Sequence, residues 1–291
     1  MIKIGIGTAQ FGMDYGINSL NGQVSVHEIR RILDLAKTSG INVIDTATSY
    51  GNSEDILGSL GVSEFRVITK TRHFKSSKIY MSDIHLLEKD FYSSLKKLNL
   101  KNIDSILIHN ANDFQKEGAD KIFNCLQKLK SLGKIRKVGI SVYDQAQLDS
   151  ITKYFDFDLI QIPFSIIDHR LLDSGFINTL HRKGVEIHAR SIFLQGLLLI
   201  PKKRRPKKFF RWNSLWKIWD EWLYDNQLSP LEASLRYAIS INEISTSIVG
   251  IDSANQLDEI ILAASGFLPE IPDSLKISDP DLLNPSNWKT L

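Results

Sequence analysis

The run Lys3-Ile-Gly-Ile-Gly-Thr-Ala-Gln10 opens the chain as a strand and leaves it without a phosphate-binding glycine turn. A doubly wound sheet that binds a dinucleotide needs Gly-x-Gly-x-x-Gly directly after its first strand, because those glycines let the backbone approach a pyrophosphate. Here Gly5-Ile-Gly7 continues as Thr8-Ala-Gln10, so the fingerprint fails. The rhythm that follows points to a closed barrel instead. Strands are expected over 2–9, 41–46, 66–70, 103–109, 137–142, 158–163, 185–191 and 245–249. Amphipathic helices are expected between and after them, over 26–38, 53–60, 82–97, 119–132, 146–154, 171–183, 230–241 and 254–265. Ser25 caps the first helix and Gly40 stops it, and Ile84, Leu87, Phe91, Leu95 and Leu98 keep helical spacing in the longest one. Repeated strand–helix units require parallel strands with right-handed crossovers. Eight of them in one chain of this length predict an α/β fold, a (β/α)8 TIM barrel in a single domain over 1–291. A long loop with an extra helix, over 214–224, is expected after the seventh strand.

Composition sets further limits. The chain has 291 residues, 43% hydrophobic and 24% charged, which suits a globular protein with a large core. A net charge of +3 is too small to imply nucleic acid or a membrane surface as partner. No apolar run reaches the roughly 18 residues of a membrane-spanning helix, and Met1-Ile-Lys-Ile-Gly5 lacks the basic and apolar regions of a signal peptide. The single cysteine, Cys125, excludes an internal disulfide and suits a reducing, cytoplasmic compartment. The histidines lack paired ligand spacing, so no metal is expected.

In such a barrel, chemistry sits where strands end and the following loops begin. Three strand ends carry ionisable groups among apolar neighbours: Asp45 and Tyr50 in Ile44-Asp-Thr-Ala-Thr-Ser-Tyr-Gly51, Lys70 in Val67-Ile-Thr-Lys-Thr71, and His109 in Ile106-Leu-Ile-His-Asn110. Each has an ordinary reading by itself. Asp45 can cap a turn, Tyr50 can pack the rim, Lys70 can reach out to water, and His109 can be a satisfied structural histidine. Together they argue for chemistry, because a buried lysine wants a carboxylate and an ammonium beside a phenol favours the phenolate. Reducing a carbonyl requires a hydride on carbon and a proton on oxygen. Tyr50 is then the general acid, its pKa expected to fall under the influence of Lys70; Asp45 holds Lys70; His109 orients the carbonyl oxygen. None of the four can donate hydride, so a nicotinamide cofactor and a small carbonyl substrate are the expected partners.

These residues resemble the aldo-keto reductase family. The resemblance runs from Gly5-Ile-Gly-Thr-Ala-Gln-Phe-Gly12 to Gly250-Ile-Asp-Ser-Ala-Asn-Gln-Leu-Asp-Glu259 and is most specific at Asp45-x4-Tyr50-Gly51, followed at the family's intervals by Lys70 and His109. It implies NAD(P)H lying extended across the C-terminal mouth of the barrel. By resemblance, Ser141 and Gln161 hydrogen-bond the nicotinamide carboxamide, although Val142 stands where many members carry Asn. Arg190 stands where many relatives stack a tyrosine on the nicotinamide, a role a planar guanidinium can fill, with pairing to a carboxylate at the rim as the plainer alternative. Ser191, Phe193, Leu194, Gln195 and Gly196 belong to the stretch expected against the pyrophosphate. Gly250, Ser253, Gln256 and Glu259 fall where relatives hold the adenosine 2′-phosphate, and Ile260 matches an adenine-contacting Asn. NADP(H) is the cofactor implied by the family's habit, with NAD(H) the alternative, and the helix starting after Ser253 is the expected phosphate site. The altered contacts keep open a regulatory or redox-sensing barrel with little turnover, against which the complete tetrad speaks. A barrel isomerase or lyase acting on a phosphorylated sugar is a further alternative.

Three other features have two readings each. Lys202-Lys-Arg-Arg-Pro-Lys-Lys208 is a solvated loop, or a phosphate or anionic-substrate site beside the mouth. Trp212, Trp216, Trp219 and Trp222, at helical spacing, are core or the wall of a sugar-binding pocket. Met13, Asp14 and Tyr15 are candidates for the pocket lining, and the tail at 268–291, rich in Pro, Ser and Asp, is expected to pack irregularly over one mouth.

Overall fold

The computed structural model describes residues 2–16, 22–289 and 291. Met1 and position 290 of the expected tail lie outside the described residues. Eight parallel strands close into one barrel in chain order: β1 (Ile4–Gly7), β2 (Val43–Asp45), β3 (Arg66–Lys70), β4 (Ile103–Ile108), β5 (Ile135–Ser141), β6 (Leu159–Pro163), β7 (Glu186–Arg190) and β8 (Thr246–Gly250). β1 pairs with β8 through Ile4↔Ser247 to Gly7↔Gly250, which shuts the ring.

Local chemistry sets the helix limits. The Ser25 side chain accepts from the Glu28 N–H and starts Val26–Thr38. Ser229 and Glu232 form a reciprocal capping box on Pro230–Ser240. Met81–Leu98 buries Ile84, Leu87, Phe91, Leu95 and Leu98 against the barrel and stops at Asn99 in the left-handed region. Two expected elements differ. The first strand ends at Gly7, after which Ala9–Gly12 forms a helical turn that buries Phe11. The helix expected over 171–183 is two, Arg170–Asp173 and Phe176–Arg182, parted by Gly175 at φ 71, a conformation that interrupts a right-handed helix.

The barrel interior is layered. Val43, Ile68, Leu107, Leu159 and Ile248 form an apolar cluster separate from the larger core between strands and helices. At the opposite end, Arg66 on β3 and Lys137 on β5 both form ion pairs with Glu186 on β7. His188 bridges the layers, its Nε2 at 2.7 Å from Glu186 Oε1. Gly139 completes the middle layer, where an added Cβ would meet the Leu159 carbonyl and the Leu107 side chain.

After β7 the chain makes short helical turns and then the helix Asn213–Asp225. Residues 268–289 form further short turns that bury Leu275, Leu282, Leu283 and Trp288. Trp212 Nε1 donates to Asp279 Oδ2 and Trp222 Nε1 to the Glu270 carbonyl, each at 3.0 Å, so tail and helix are pinned together. No helix among the described residues is long and apolar enough to cross a membrane.

Gly139→Ala is expected to destabilise the barrel by about 1–3 kcal/mol, since the new methyl must displace strand backbone in a packed interior. A fall in the urea midpoint without a change in slope would register it; an unchanged midpoint would show that the middle layer has room to spare.

Candidate active site

Strand geometry builds the site. Side chains two positions apart on a strand share a face. Asp45, Lys70, His109, Ser141, Gln161, Arg190 and Gly250 each stand two residues beyond an inner-layer position: Val43, Ile68, Leu107, Gly139, Leu159, His188 and Ile248. All seven line one cavity of about 420 Å³ at the C-terminal mouth, together with Tyr50 from the loop after β2.

Lys70 is only 1% exposed. Its Nζ donates to Asp45 Oδ2 at 2.5 Å and to the Thr46 carbonyl at 3.0 Å. Asp45 accepts a second hydrogen bond on Oδ1 from Gln161 Nε2, at 2.9 Å. Burial pulls the Lys70 ammonium below the usual lysine range, while Asp45 acts to keep it charged. The ammonium lies 5.1 Å from the centre of the Tyr50 ring. Tyr50 and His109 meet edge to face with centroids 5.9 Å apart. His109 Nδ1 is 3.5 Å from Ser49 Oγ. Burial, then the Lys70 charge, pushes the His109 imidazole down to about 4, so the ring is neutral at pH 7.

Tyr50 departs from the expected electrostatics. Burial and the Asp45 carboxylate raise its pKa above the ordinary tyrosine value, with Arg190 as the one charge pulling it down. Burial and Asp45 outweigh the lowering expected from Lys70. The phenol therefore stays protonated.

The structure gathers most of the residues singled out around the tetrad. Ser141, Gln161, Arg190, Ser191, Phe193, Gln195, Gly196, Gly250, Gln256 and Glu259 all line the same cavity. Arg190 Nε donates to Ser141 Oγ at 3.2 Å, and its Nη2 donates to the Val142 carbonyl at 2.8 Å. Ser191, Leu194 and Gln195 adopt φ of 59, 50 and 51, and Gly196 φ 90, which turns the loop back across the mouth. Leu194 and Ser253 stand apart from the cavity lining. Leu194 is buried among apolar neighbours, and the Ser253 hydroxyl caps Ala254–Ala263 by accepting from the Gln256 N–H. The expected phosphate site at that helix start is also taken: Glu28 Oε1 accepts from the Ala254 N–H at 2.7 Å.

Of the first loop, Tyr15 lines the cavity, its hydroxyl accepting from Gln195 Nε2 at 3.3 Å, while Met13 and Asp14 do not. The basic run also lies away from the cavity. Arg205 is buried in an ion pair with Asp220 and against Trp216, and Lys208 Nζ donates to the Trp288 carbonyl. The tryptophans are buried outside the cavity too, while Lys202, Lys203, Arg204 and Lys207 of the basic run are exposed. Sequence reasoning missed Gln10 and Tyr143. Gln10 sits in the helical turn after β1, just past the strand expected over 2–9, and could have been found by applying the strand-end rule there. Tyr143, whose ring centre lies 4.5 Å from the Arg190 guanidinium, carries no signal because it belongs to a loop without periodicity.

Comparisons with known proteins bear on the family and the fold. The family model described as "Aldo/keto reductase family" matches residues 3–270. The chain is 28% identical over 217 residues to the NADH-specific methylglyoxal reductase of Escherichia coli strain K12, covering 67% of this chain and 65% of that protein, slightly under two thirds of its length. It is 27% identical over 287 residues to the L-galactose dehydrogenase of Arabidopsis thaliana, covering 90% and 84%. It is 28% identical over 179 residues to the glyoxal reductase of Bacillus subtilis strain 168, covering 60% and 61%. Among solved structures, an aldo-keto reductase of Bacillus halodurans in its holo form superposes with a TM-score of 0.71 at 21% identity, covering 92% of this chain and 88% of that one, which supports the fold. With a family match over nearly its whole length and a closed barrel to carry it, the chain belongs to the aldo/keto reductase family, a family of oxidoreductases.

Proposed function

We propose that the protein reduces a small polar aldehyde or ketone to an alcohol, with a nicotinamide dinucleotide as hydride source and Tyr50 as general acid. The observation that carries this reading is the buried Asp45–Lys70 pair beside Tyr50 and a neutral His109 in one cavity. The donor set suits the dinucleotide. Ser141 and Gln161 offer a hydroxyl and an amide for the carboxamide, Arg190 offers a planar cation, and the turned loop at 191–196 would hold phosphates. When bound, the dinucleotide supplies the hydride that no side chain here can give.

The remaining work falls to the chain. A neutral His109 that accepts from Ser49 at Nδ1 carries its proton on Nε2, where it can donate to a carbonyl oxygen. The Tyr50 hydroxyl passes its proton to that oxygen as negative charge develops there. Lys70, close to the ring, then stabilises the phenolate, while Asp45 and the Thr46 carbonyl keep the ammonium in place. The relatives named for methylglyoxal, glyoxal and galactose favour small, oxygen-rich carbonyl compounds as substrates.

Electrostatics favour NAD(H) over NADP(H), against the family's habit. The cavity's only Lys and Arg among the described residues are Lys70 and Arg190, both on the tetrad side. Toward the helix after β8 the lining carries Asp252 and Glu259, and Glu28 occupies the helix start. A 2′-phosphate there would meet carboxylates, whereas a ribose diol can donate hydrogen bonds to them.

Tyr50→Phe should lower kcat by roughly 100-fold or more while the dissociation constant for the dinucleotide changes little; full activity in this variant would remove Tyr50 from the acid role. In fluorescence titrations NADH should bind about tenfold more tightly than NADPH, and Glu259→Lys should narrow that gap; equal affinities in the wild type would show that the carboxylates do not discriminate. NMR titration of the His109 imidazole should give a midpoint near 4. The unfolded chain protonates this group at about 6.5, so its contribution to stability is complete above that pH and falls away as the pH drops toward 4. A midpoint near 6.5 would mean that Lys70 and burial do not act on the ring.

A further inference from the structure

We propose that Arg190 makes the cavity distinguish the two redox states of its dinucleotide, holding the reduced form more tightly than the oxidised one. This rests on reading the cavity as a nicotinamide site. Arg190 closes β7, and every contact of its guanidinium is with a neutral group. Nε donates to Ser141 Oγ at 3.2 Å, Nη1 to Ser191 Oγ at 3.3 Å and Nη2 to the Val142 carbonyl at 2.8 Å, with the Tyr143 ring stacked at 4.5 Å. No carboxylate among the described residues pairs with it.

The surrounding charges leave that cation uncompensated. Two cations, Lys70 and Arg190, line the cavity on the tetrad side, and the one carboxylate there, Asp45, is engaged by Lys70 and Gln161. Tyr50 and His109 are neutral at pH 7. Arg190 acts electrostatically on Tyr50, Lys70 and His109, and Asp252 is coupled to Asp14.

A ring that gives hydride to a carbonyl held by Tyr50 and His109 has to lie on this same floor. The reduced nicotinamide ring is neutral and the oxidised ring is a cation. The phosphates are common to both forms, so their attraction to Arg190 cancels in the comparison. What remains is repulsion between two positive charges. At about 6 Å, with an effective dielectric between roughly 20 and 80, it corresponds to about a threefold to hundredfold difference in affinity. The same bias would release the oxidised cofactor readily after each reduction.

The test is calorimetric titration of the wild type, Arg190→Lys and Arg190→Gln with the reduced and oxidised forms of whichever pair binds, NADH and NAD+ or NADPH and NADP+. In the wild type and in Arg190→Lys, the reduced form should bind at least about threefold more tightly. In Arg190→Gln the ratio should fall toward one, whatever happens to the affinities themselves. An unchanged ratio in Arg190→Gln, or Arg190→Lys behaving like Arg190→Gln, overturns the proposal. Equal binding of the two forms by the wild type overturns it without recourse to a variant. Failure of the wild type to bind any dinucleotide would remove the nicotinamide reading and this proposal together, an outcome distinct from binding without discrimination.

Discussion

An ammonium 1% exposed to solvent cannot stand unpaired in a protein interior, and the mouth of this barrel is organised around that constraint. Lys70 is answered by Asp45 on the neighbouring strand, and Asp45 in turn is held from across the barrel by Gln161. The three groups join β2, β3 and β6 above the apolar layer. Their order fixes the neighbours' chemistry. Asp45 meets the lysine's charge and raises the phenol of Tyr50, while Lys70 helps keep His109 neutral. Asp45 therefore acts on all three of its partners, on Lys70 by a hydrogen bond and on Tyr50 and His109 through its charge.

The far end of the barrel solves the same problem differently. Glu186 accepts from Arg66, Lys137 and His188, and these partners hold its carboxyl well below the usual range despite burial. That cluster leaves few unanswered charges at the bottom, whereas the mouth keeps Arg190 without a carboxylate. The apolar layer of Val43, Ile68, Leu107, Leu159 and Ile248 separates the two ends. A compensated base and an uncompensated mouth fit a division between the end that holds the barrel shut and the end that receives ligands.

Much of this was legible in the chain. Alternating βα runs announced the eight-stranded barrel, the strand-end rule brought out Asp45, Lys70 and His109, and the family resemblance added Ser141, Gln161 and Arg190; all six line one cavity. The rule works because a strand repeats every two residues, so a polar side chain two positions past an inner apolar one faces the mouth. Loops obey no such period. Tyr143 went unread for that reason, and the position of the basic run 202–208 away from the cavity lining was equally illegible.

The sequence by itself determined the order of elements and the shared strand face of Asp45, Lys70 and His109, because these follow from local periodicity. Only the tertiary structure decided the charge balance. It put Glu28, distant in sequence, on the N-terminus of Ala254–Ala263 and buried Arg205 against Asp220. It also set the Tyr50 phenol above its ordinary value, where the sequence suggested the reverse. Each of these outcomes depends on which charges stand within a few ångströms and how much water is excluded between them. Both quantities are properties of packing between segments far apart in the chain.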